Sequence, residues 1–234
     1  MDINKIYNMD CFLGMKQMED NSVDMILTDP PYNTGMQSNE NTKKGDRVRL
    51  SHFFDDYYSD DNYKKFVISS CRQFSRLLKN DKCGYIFINW KSLGLWMNCL
   101  KFYGFEVKNV IVWDKVIHGL NWMNYAYTYE LIIFFTKGNY LPNNKVDGYY
   151  KDIWKISRGK PSESEFHHET EKVIEVCRIP IKHGSKEGDI ILDPFVGGGN
   201  IILACRQLKR QYIGFEIVKS YVDICNKKLS QTLI

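Results

Sequence analysis

Apolar residues along the chain fall into short runs, separated by stretches in which they recur every three or four positions. The runs are rich in β-branched and aromatic residues and read as seven strands: KIYN (5–8), VDMILT (23–28), CGYIFIN (83–89), EVKNVIVW (106–113), TYELIIFF (128–135), DIILD (189–193) and QYIGFEI (211–217). Helical spacing falls near 62–79, 92–102, 169–182, 199–209 and 219–230. In the first of these, Tyr63, Phe66, Val67, Ser70, Phe74, Leu77 and Leu78 form one stripe, while Lys64, Lys65, Arg72, Arg76 and Lys79 take the other faces as a solvated surface. Strands alternating with helices predict an α/β fold: a doubly wound, mostly parallel sheet with helices on both faces.

Two stretches break the rhythm. Residues 37–61 begin polar and basic and turn aromatic and acidic, and residues 142–168 mix Gly, Pro and Ser with Tyr149, Tyr150 and Trp154. Aperiodic segments of this length in a compact domain usually carry function or move. We read them as partner-contacting inserts of a single domain spanning 1–234, the second belonging to a longer insert at 116–168.

Length and composition narrow the class. A chain of 234 residues with 44% hydrophobic and 26% charged residues can bury one large core, and it suits neither disorder nor a coiled coil. A formal charge of +4 tolerates a polyanionic partner without demanding one. The amino-terminal sequence has no basic region leading into an apolar run, and no segment approaches the roughly 18 apolar residues of a membrane span. The expectation is therefore a cytoplasmic protein. Seven scattered cysteines without a CxxC pair point to reduced, buried thiols and to no metal site.

Two strand ends carry the chemistry. The strand 23–28 runs into Asp29-Pro30-Pro31-Tyr32, where the prolines remove two backbone donors and end the ladder. The strand 189–193 runs through Asp193, Pro194 and Phe195 into Gly197, Gly198 and Gly199, and then into a helix. Carboxyl ends of parallel strands are where ligands sit in open α/β sheets, and glycine lets backbone and ligand approach closely. About 20 positions further on, Glu216 ends another strand, at the spacing where a carboxylate takes ribose hydroxyls. No Gly-Lys-Ser/Thr follows the glycines, which excludes a triphosphate-binding P-loop.

With TDPPY near one end and DPFVGGGN near the other, the chain resembles the amino-methylating DNA methyltransferases that use S-adenosyl-L-methionine. The order, DPPY before the glycine motif, resembles their beta subgroup, and the resemblance spans nearly the whole chain. It implies a Rossmann-like methyltransferase fold, with Asp29, Pro30, Pro31 and Tyr32 as the catalytic motif. Asp10 and Cys11, in Asn-Met-Asp-Cys, resemble the family segment whose aspartate contacts the cofactor adenine. Thr170 and Lys172 resemble a helix start that closes over the methionine part of the cofactor, although Val173 stands where the family has proline. Asp29, Asp193, Pro194, Phe195, Gly197, Gly199, Asn200 and Glu216 complete the implied cofactor set. Asn200 replaces the usual Ser or Thr, and the extra Gly198 predicts a looser turn. Trp113 and Glu130 resemble family strand positions and read as scaffold.

Such a motif suits amino methylation. An exocyclic amine is a poor nucleophile because its lone pair is delocalised into the ring. A carboxylate at Asp29 and the carbonyl of Pro30 can each accept one N–H, localising that lone pair by preorganised electrostatics. The base must leave the duplex stack, and Tyr32 offers a stacking face for it. The resemblance favours adenine-N6 over cytosine-N4 because the motif starts with Asp rather than Ser.

Expected contacts to double-stranded DNA are Lys43, Lys44, Arg47 and Arg49 in the first insert, and Lys155, Arg158 and Lys160 in the second, with Asn121 and Asn124 as base readers. Trp154 reads equally well as core. A homodimer and a cognate restriction endonuclease are compatible partners. The alternatives are a cytosine-N4 enzyme and a catalytically idle nucleic-acid-binding subunit, which would bind DNA without cofactor.

Overall fold

The predicted strands assemble into one sheet. The computed structural model describes residues 1–33, 59–116, 125–141, 151–157 and 172–231. In chain order these form β1 (Lys5–Asn8), α1 (Cys11–Lys16), β2 (Val23–Thr28), α2 (Asp60–Leu77), β3 (Leu78–Ile88), α3 (Leu93–Phe102), β4 (Glu106–Asp114), β5 (Tyr129–Lys137), β6 (Ile153–Lys155), α4 (Ile174–Gly184), β7 (Ile190–Asp193), α5 (Asn200–Gln207), β8 (Gln211–Glu216) and α6 (Lys219–Gln231). The sheet order is β1-β8-β7-β2-β3-β5-β4-β6. Among the described strands only β5 runs against its neighbours, β3 and β4, so the sheet is mostly parallel as predicted.

Among the described residues eight strands appear where periodicity marks seven. The additional β6 is three residues long and lies at the sheet edge, paired to β4, within the insert that lacks a period. A strand that short shows no alternation to read. Helix α1, six residues long, is also unpredicted, and the side chain of Asp10 caps it by accepting N–H bonds from Phe12 and Leu13. Helix α4 begins at Ile174 rather than near 169; Lys172 and Val173 are non-helical, and residues 169–171 lie outside the described residues.

Side chains alternate across the sheet as the pleat requires. Met25, Leu27, Tyr85, Phe87, Ile132 and Phe134 face the layer of α4, α5 and α6. Ile26, Ile86, Ile88, Ile133 and Phe135 face α1, α2 and α3, where Phe66, Phe74 and Trp96 fill the space. Among the described residues all seven cysteines are free and buried, as their scatter implies. No described helix is long and apolar enough to cross a membrane.

The cap at Asp10 leads to a first expected result. Asp10→Ala lowers folding stability by about 1 kcal/mol, the usual cost of losing an N-cap acceptor, whereas Asp10→Asn restores it. Denaturant midpoints of the two variants check this.

Candidate active site

Parallel strands put their carboxyl ends on one edge, and four of them bring candidate residues there. β1 ends before Asp10, β2 before Asp29, β7 at Asp193 and β8 at Glu216. β2 and β7 are direct neighbours, with Met25 opposite Ile191 and Ile26 opposite Leu192. The hydroxyl of Thr28, just before the proline motif, donates to Asp193 Oδ1 at 2.9 Å, so the two predicted motifs lie side by side.

Helix α2 and the end of β3 hold the proline motif in place. Tyr63 donates its hydroxyl to the Pro31 carbonyl at 3.2 Å, and Trp96 donates its indole N–H to Tyr63 at 3.3 Å. Asn89 Nδ2 donates to the Tyr32 carbonyl at 2.9 Å. Locked proline φ angles and these external bonds together fix the direction of the loop.

The glycine turn is tied down just as firmly. Gly197 and Gly199 adopt φ of +50° and +85°, a region open to glycine but costly for other residues. Gly197 N–H donates to Glu216 Oε2 at 2.8 Å, Gly199 N–H to the Val196 carbonyl at 2.9 Å, and Lys228 Nζ to the Gly198 carbonyl at 2.9 Å. The looser turn expected from Gly198 is therefore not found. Glu216 Oε1 also accepts from Val218 N–H at 2.8 Å; burial raises this carboxyl above its ordinary value, and these N–H bonds oppose the rise. Each Glu216 oxygen keeps a second lone pair for a ribose hydroxyl.

Asp193 is wholly buried. Its Oδ1 accepts from Thr28 and, at 3.2 Å, from Phe195 N–H, whereas Oδ2 is buried with no hydrogen-bond partner among the described residues. Burial pushes its carboxyl up to about 7, against the pull of Thr28 and the Phe195 N–H. A buried acceptor without a donor is costly and suits a site that receives one from a ligand. Phe195 packs its ring 5.4 Å from Phe66, and Pro194 is buried behind it. Cys11 packs into the core, where burial and the adjacent Asp10 push its thiol up, so only its backbone remains available to a ligand.

Around Asp29 the structure gathers Lys172, Glu130 and Lys115, of which sequence reasoning missed Lys115 and gave the other two different tasks. Lys172 Nζ lies 2.7 Å from Asp29 Oδ2 and 2.9 Å from Glu130 Oε2, and Lys115 Nζ lies 2.7 Å from Glu130 Oε1. The Tyr32 hydroxyl is 2.6 Å from Asp29 Oδ1 and 3.2 Å from Glu130 Oε2. Read from sequence as scaffold, Glu130 joins the charged centre because β5 is antiparallel. Its amino end lies beside the carboxyl ends of β3 and β4, and Glu130 stands opposite Trp113. Trp113 itself is buried scaffold, donating its indole N–H to the Ile156 carbonyl at 2.9 Å. The sequence signal for Glu130 is a carboxylate inside the apolar run YELIIFF, since a buried charge requires a partner.

Lys172, expected over the cofactor, directs its ammonium to the Asp29 carboxylate instead, while its carbonyl accepts from Asn200 Nδ2 at 2.6 Å. Burial pushes Asp29 up and Lys172 draws it back; the net direction is upward. Burial also works to raise Glu130, but Lys172 and Lys115 outweigh it and hold that carboxyl at about 2. For Lys172 burial lowers the ammonium, and Asp29 and Glu130 more than reverse it, so it stays charged. The Asp29 side chain keeps 24% of its surface exposed, leaving it a face for substrate. Tyr32, expected as a stacking ring, meets Asp29 through its hydroxyl in this arrangement.

The predicted DNA contacts divide unevenly. Lys155 is exposed at the end of β6, opposite Asp114, on the same edge as Asp29. Trp154 is core, with its indole N–H donated to the Lys151 carbonyl at 2.8 Å. Lys43, Lys44, Arg47, Arg49, Asn121, Asn124, Arg158, Lys160 and Thr170 lie outside the described residues. Among described residues, Trp90, Tyr125, Tyr127 and Tyr129 are exposed near this edge.

The family model N6_N4_Mtase, described as DNA methylase, matches residues 23–227. The chain belongs to this DNA methylase family. The methylase is 30% identical over 253 residues to the Type II methyltransferase M2.DpnII of Streptococcus pneumoniae, covering 96% of this chain and 88% of that one. To the Type II methyltransferase M.HpaI of Haemophilus parainfluenzae it is 28% identical over 246 residues, covering 92% and 71%. Among solved structures, the cytosine-N4-specific PvuII DNA methyltransferase superposes on the methylase with a TM-score of 0.79 at 13% identity, over 100% of this chain and 89% of that one. The complex of M1.HpyAVI with S-adenosyl-L-methionine superposes with a TM-score of 0.71 at 23% identity, over 96% and 98%. At such identities the likeness is one of fold.

Proposed function

We propose that the protein is a site-specific DNA adenine-N6 methyltransferase of the beta motif order, using S-adenosyl-L-methionine on an adenine flipped out of double-stranded DNA. The observation that carries this reading is the placement of Asp29 beside the glycine turn of β7, through the Thr28–Asp193 bond.

The residues present fit the cofactor. The unpartnered Asp193 Oδ2 offers an acceptor to an ammonium or a ribose hydroxyl, and the residues from Pro194 to Gly199 supply a backbone cradle. Glu216 suits the ribose, with Asp10 and Cys11 toward the adenine and Asn200 toward the amino-acid end; for Thr170 the support is the sequence resemblance alone. When bound, S-adenosyl-L-methionine supplies a methyl group activated by a sulfonium.

The chain's own residues do the rest. Asp29 and the Pro30 carbonyl accept the two N–H bonds of the target amine and turn its lone pair toward the methyl. Tyr32 lends its ring to the flipped base once its hydroxyl leaves Asp29, and stacking of about 1–3 kcal/mol offsets part of the unstacking cost. Lys155 and the basic residues of both inserts suit phosphate contacts, and the exposed Trp90, Tyr125 and Tyr127 suit the bases or groove beside them. A companion restriction endonuclease and a homodimer accord with this function.

Adenine is preferred because the motif opens with Asp29. The purified protein, incubated with unmethylated genomic DNA and S-adenosyl-L-methionine, is expected to yield N6-methyladenine on digestion to nucleosides. N4-methylcytosine would refute the base assignment, and the absence of any methylated nucleoside would refute the enzyme.

A further inference from the structure

We infer that Glu130 is a positioning residue for methyl transfer: through Lys172 it confines Asp29 to one exchangeable oxygen and gives the Tyr32 hydroxyl a second acceptor when the base arrives. The inference rests on the amino-methyltransferase reading and assigns a task to residues that reading leaves idle.

The geometry is a chain of alternating charge. It runs from Asp29 Oδ2 to Lys172 at 2.7 Å, from Lys172 to Glu130 Oε2 at 2.9 Å, and from Glu130 Oε1 to Lys115 at 2.7 Å. Lys172 is buried between the two carboxylates, with its Nζ 5.1 Å from the Tyr32 ring centre and 5.5 Å from that of Phe87. A buried ion pair contributes little net stability against an apolar substitute, so its clearest use is to hold a geometry.

Each contact has a consequence at Asp29. With Oδ2 committed to Lys172, the target amine is received at Oδ1, where the Tyr32 hydroxyl now sits at 2.6 Å. That hydroxyl carries one proton, and a further acceptor in reach is Glu130 Oε2 at 3.2 Å. An incoming N–H can therefore take Oδ1 while Tyr32 keeps a hydrogen bond to Glu130. Without Glu130 the displaced hydroxyl would lose that acceptor, and Lys172 would be free to follow Asp29 alone.

The charged and titratable groups facing Asp29 are Tyr32 from its own loop, Lys172 ahead of α4, Glu130 from β5 and Asp193 from β7, with Lys115 acting through Glu130. Methyl transfer needs Asp29 ionised, so the acid limb of the single-turnover rate reports its charge state. Removing the anion in Glu130→Gln moves that limb to lower pH, and removing the cation in Lys172→Met moves it to higher pH, each by about one unit. Lys115→Met, which touches only the far end of the chain, moves it upward by less.

The test is the pH profile of single-turnover methyl transfer to unmethylated genomic DNA for the wild type and these three variants, with cofactor affinity measured alongside. Opposed limb shifts in Glu130→Gln and Lys172→Met, with cofactor affinity held, are expected. A lower rate with the limb unmoved in every folded variant means the residues only support structure, and it overturns the inference. If Glu130→Gln does not fold, the upward shifts of Lys172→Met and Lys115→Met decide it in the same way. A wild type that methylates no DNA refutes the underlying reading instead.

Discussion

Asp29→Ala is expected to lower methyl transfer by about a thousandfold while leaving S-adenosyl-L-methionine binding within a few-fold of the wild type. The size follows from the loss of one preorganised partner to a developing charge, which costs about two to three orders of magnitude in rate. Affinity is spared because Asp29 faces Lys172 and Tyr32, whereas Asp193 and the glycine turn lie on the neighbouring strand end. The substitution also leaves Lys172 and Lys115 facing Glu130 alone, one buried positive charge in excess, so a denaturant midpoint accompanies the assay to separate lost stability from lost chemistry. Tritiated-methyl transfer under single turnover, together with a calorimetric cofactor titration, checks both halves. Retained activity would remove Asp29 from the chemistry.

Gly199→Ala is expected to destabilise the fold by about 3 kcal/mol and to weaken cofactor binding with it. A methyl group added at Gly199 would lie 2.4 Å from Cys225 Sγ and 3.1 Å from its Cβ, closer than atoms approach without displacement. Overpacking of that kind costs about 1–3 kcal/mol, and left-handed backbone at φ +85° adds about 1–2 kcal/mol for a residue with a side chain. The strain falls on the junction where the glycine turn enters α5 and meets α6, so it spreads to Gly197 N–H and its bond with Glu216. Urea unfolding compared with Gly188→Ala separates the two causes. Gly188 has a similar φ of +84° but open space around it, so it should show the backbone cost alone.

Much of this site is legible in the order of residues. Asp29, Asp193 and Glu216 each end an apolar run, and parallel topology sends such ends to one edge. The glycine turn announces its backbone requirement, which Gly197 and Gly199 fulfil. Asp10 stands out for the cofactor, but its role as the cap of α1 does not, because a six-residue helix offers too little periodicity. β6 escapes for the same reason, so the sequence leaves Trp154 between core and insert, and the strand settles it as core.

Lys172 shows a different limit. Its neighbours in sequence suggest the cofactor, yet the direction of a long side chain is set by whichever charges surround it. In the fold those are Asp29 and Glu130, 143 and 42 residues away along the chain. Glu130 looks like scaffold because strand alternation tells which face a residue takes but not which strand lies next to it. Its place in the site follows from β5 running antiparallel between β3 and β4.

By itself, then, the sequence determined the α/β class, the strand ends that carry the candidate residues, the rigid proline loop and the glycine turn. These depend on local period, on locked φ angles and on the absence of a side chain, all of which are properties of residues and their immediate neighbours. Only the tertiary structure decided that Asp29 meets Lys172, Glu130 and the Tyr32 hydroxyl, and that Asp193 keeps one buried oxygen without a donor among the described residues. Those contacts join segments far apart in the chain, and Coulomb energy depends on distance in space and on burial, neither of which is written in local order.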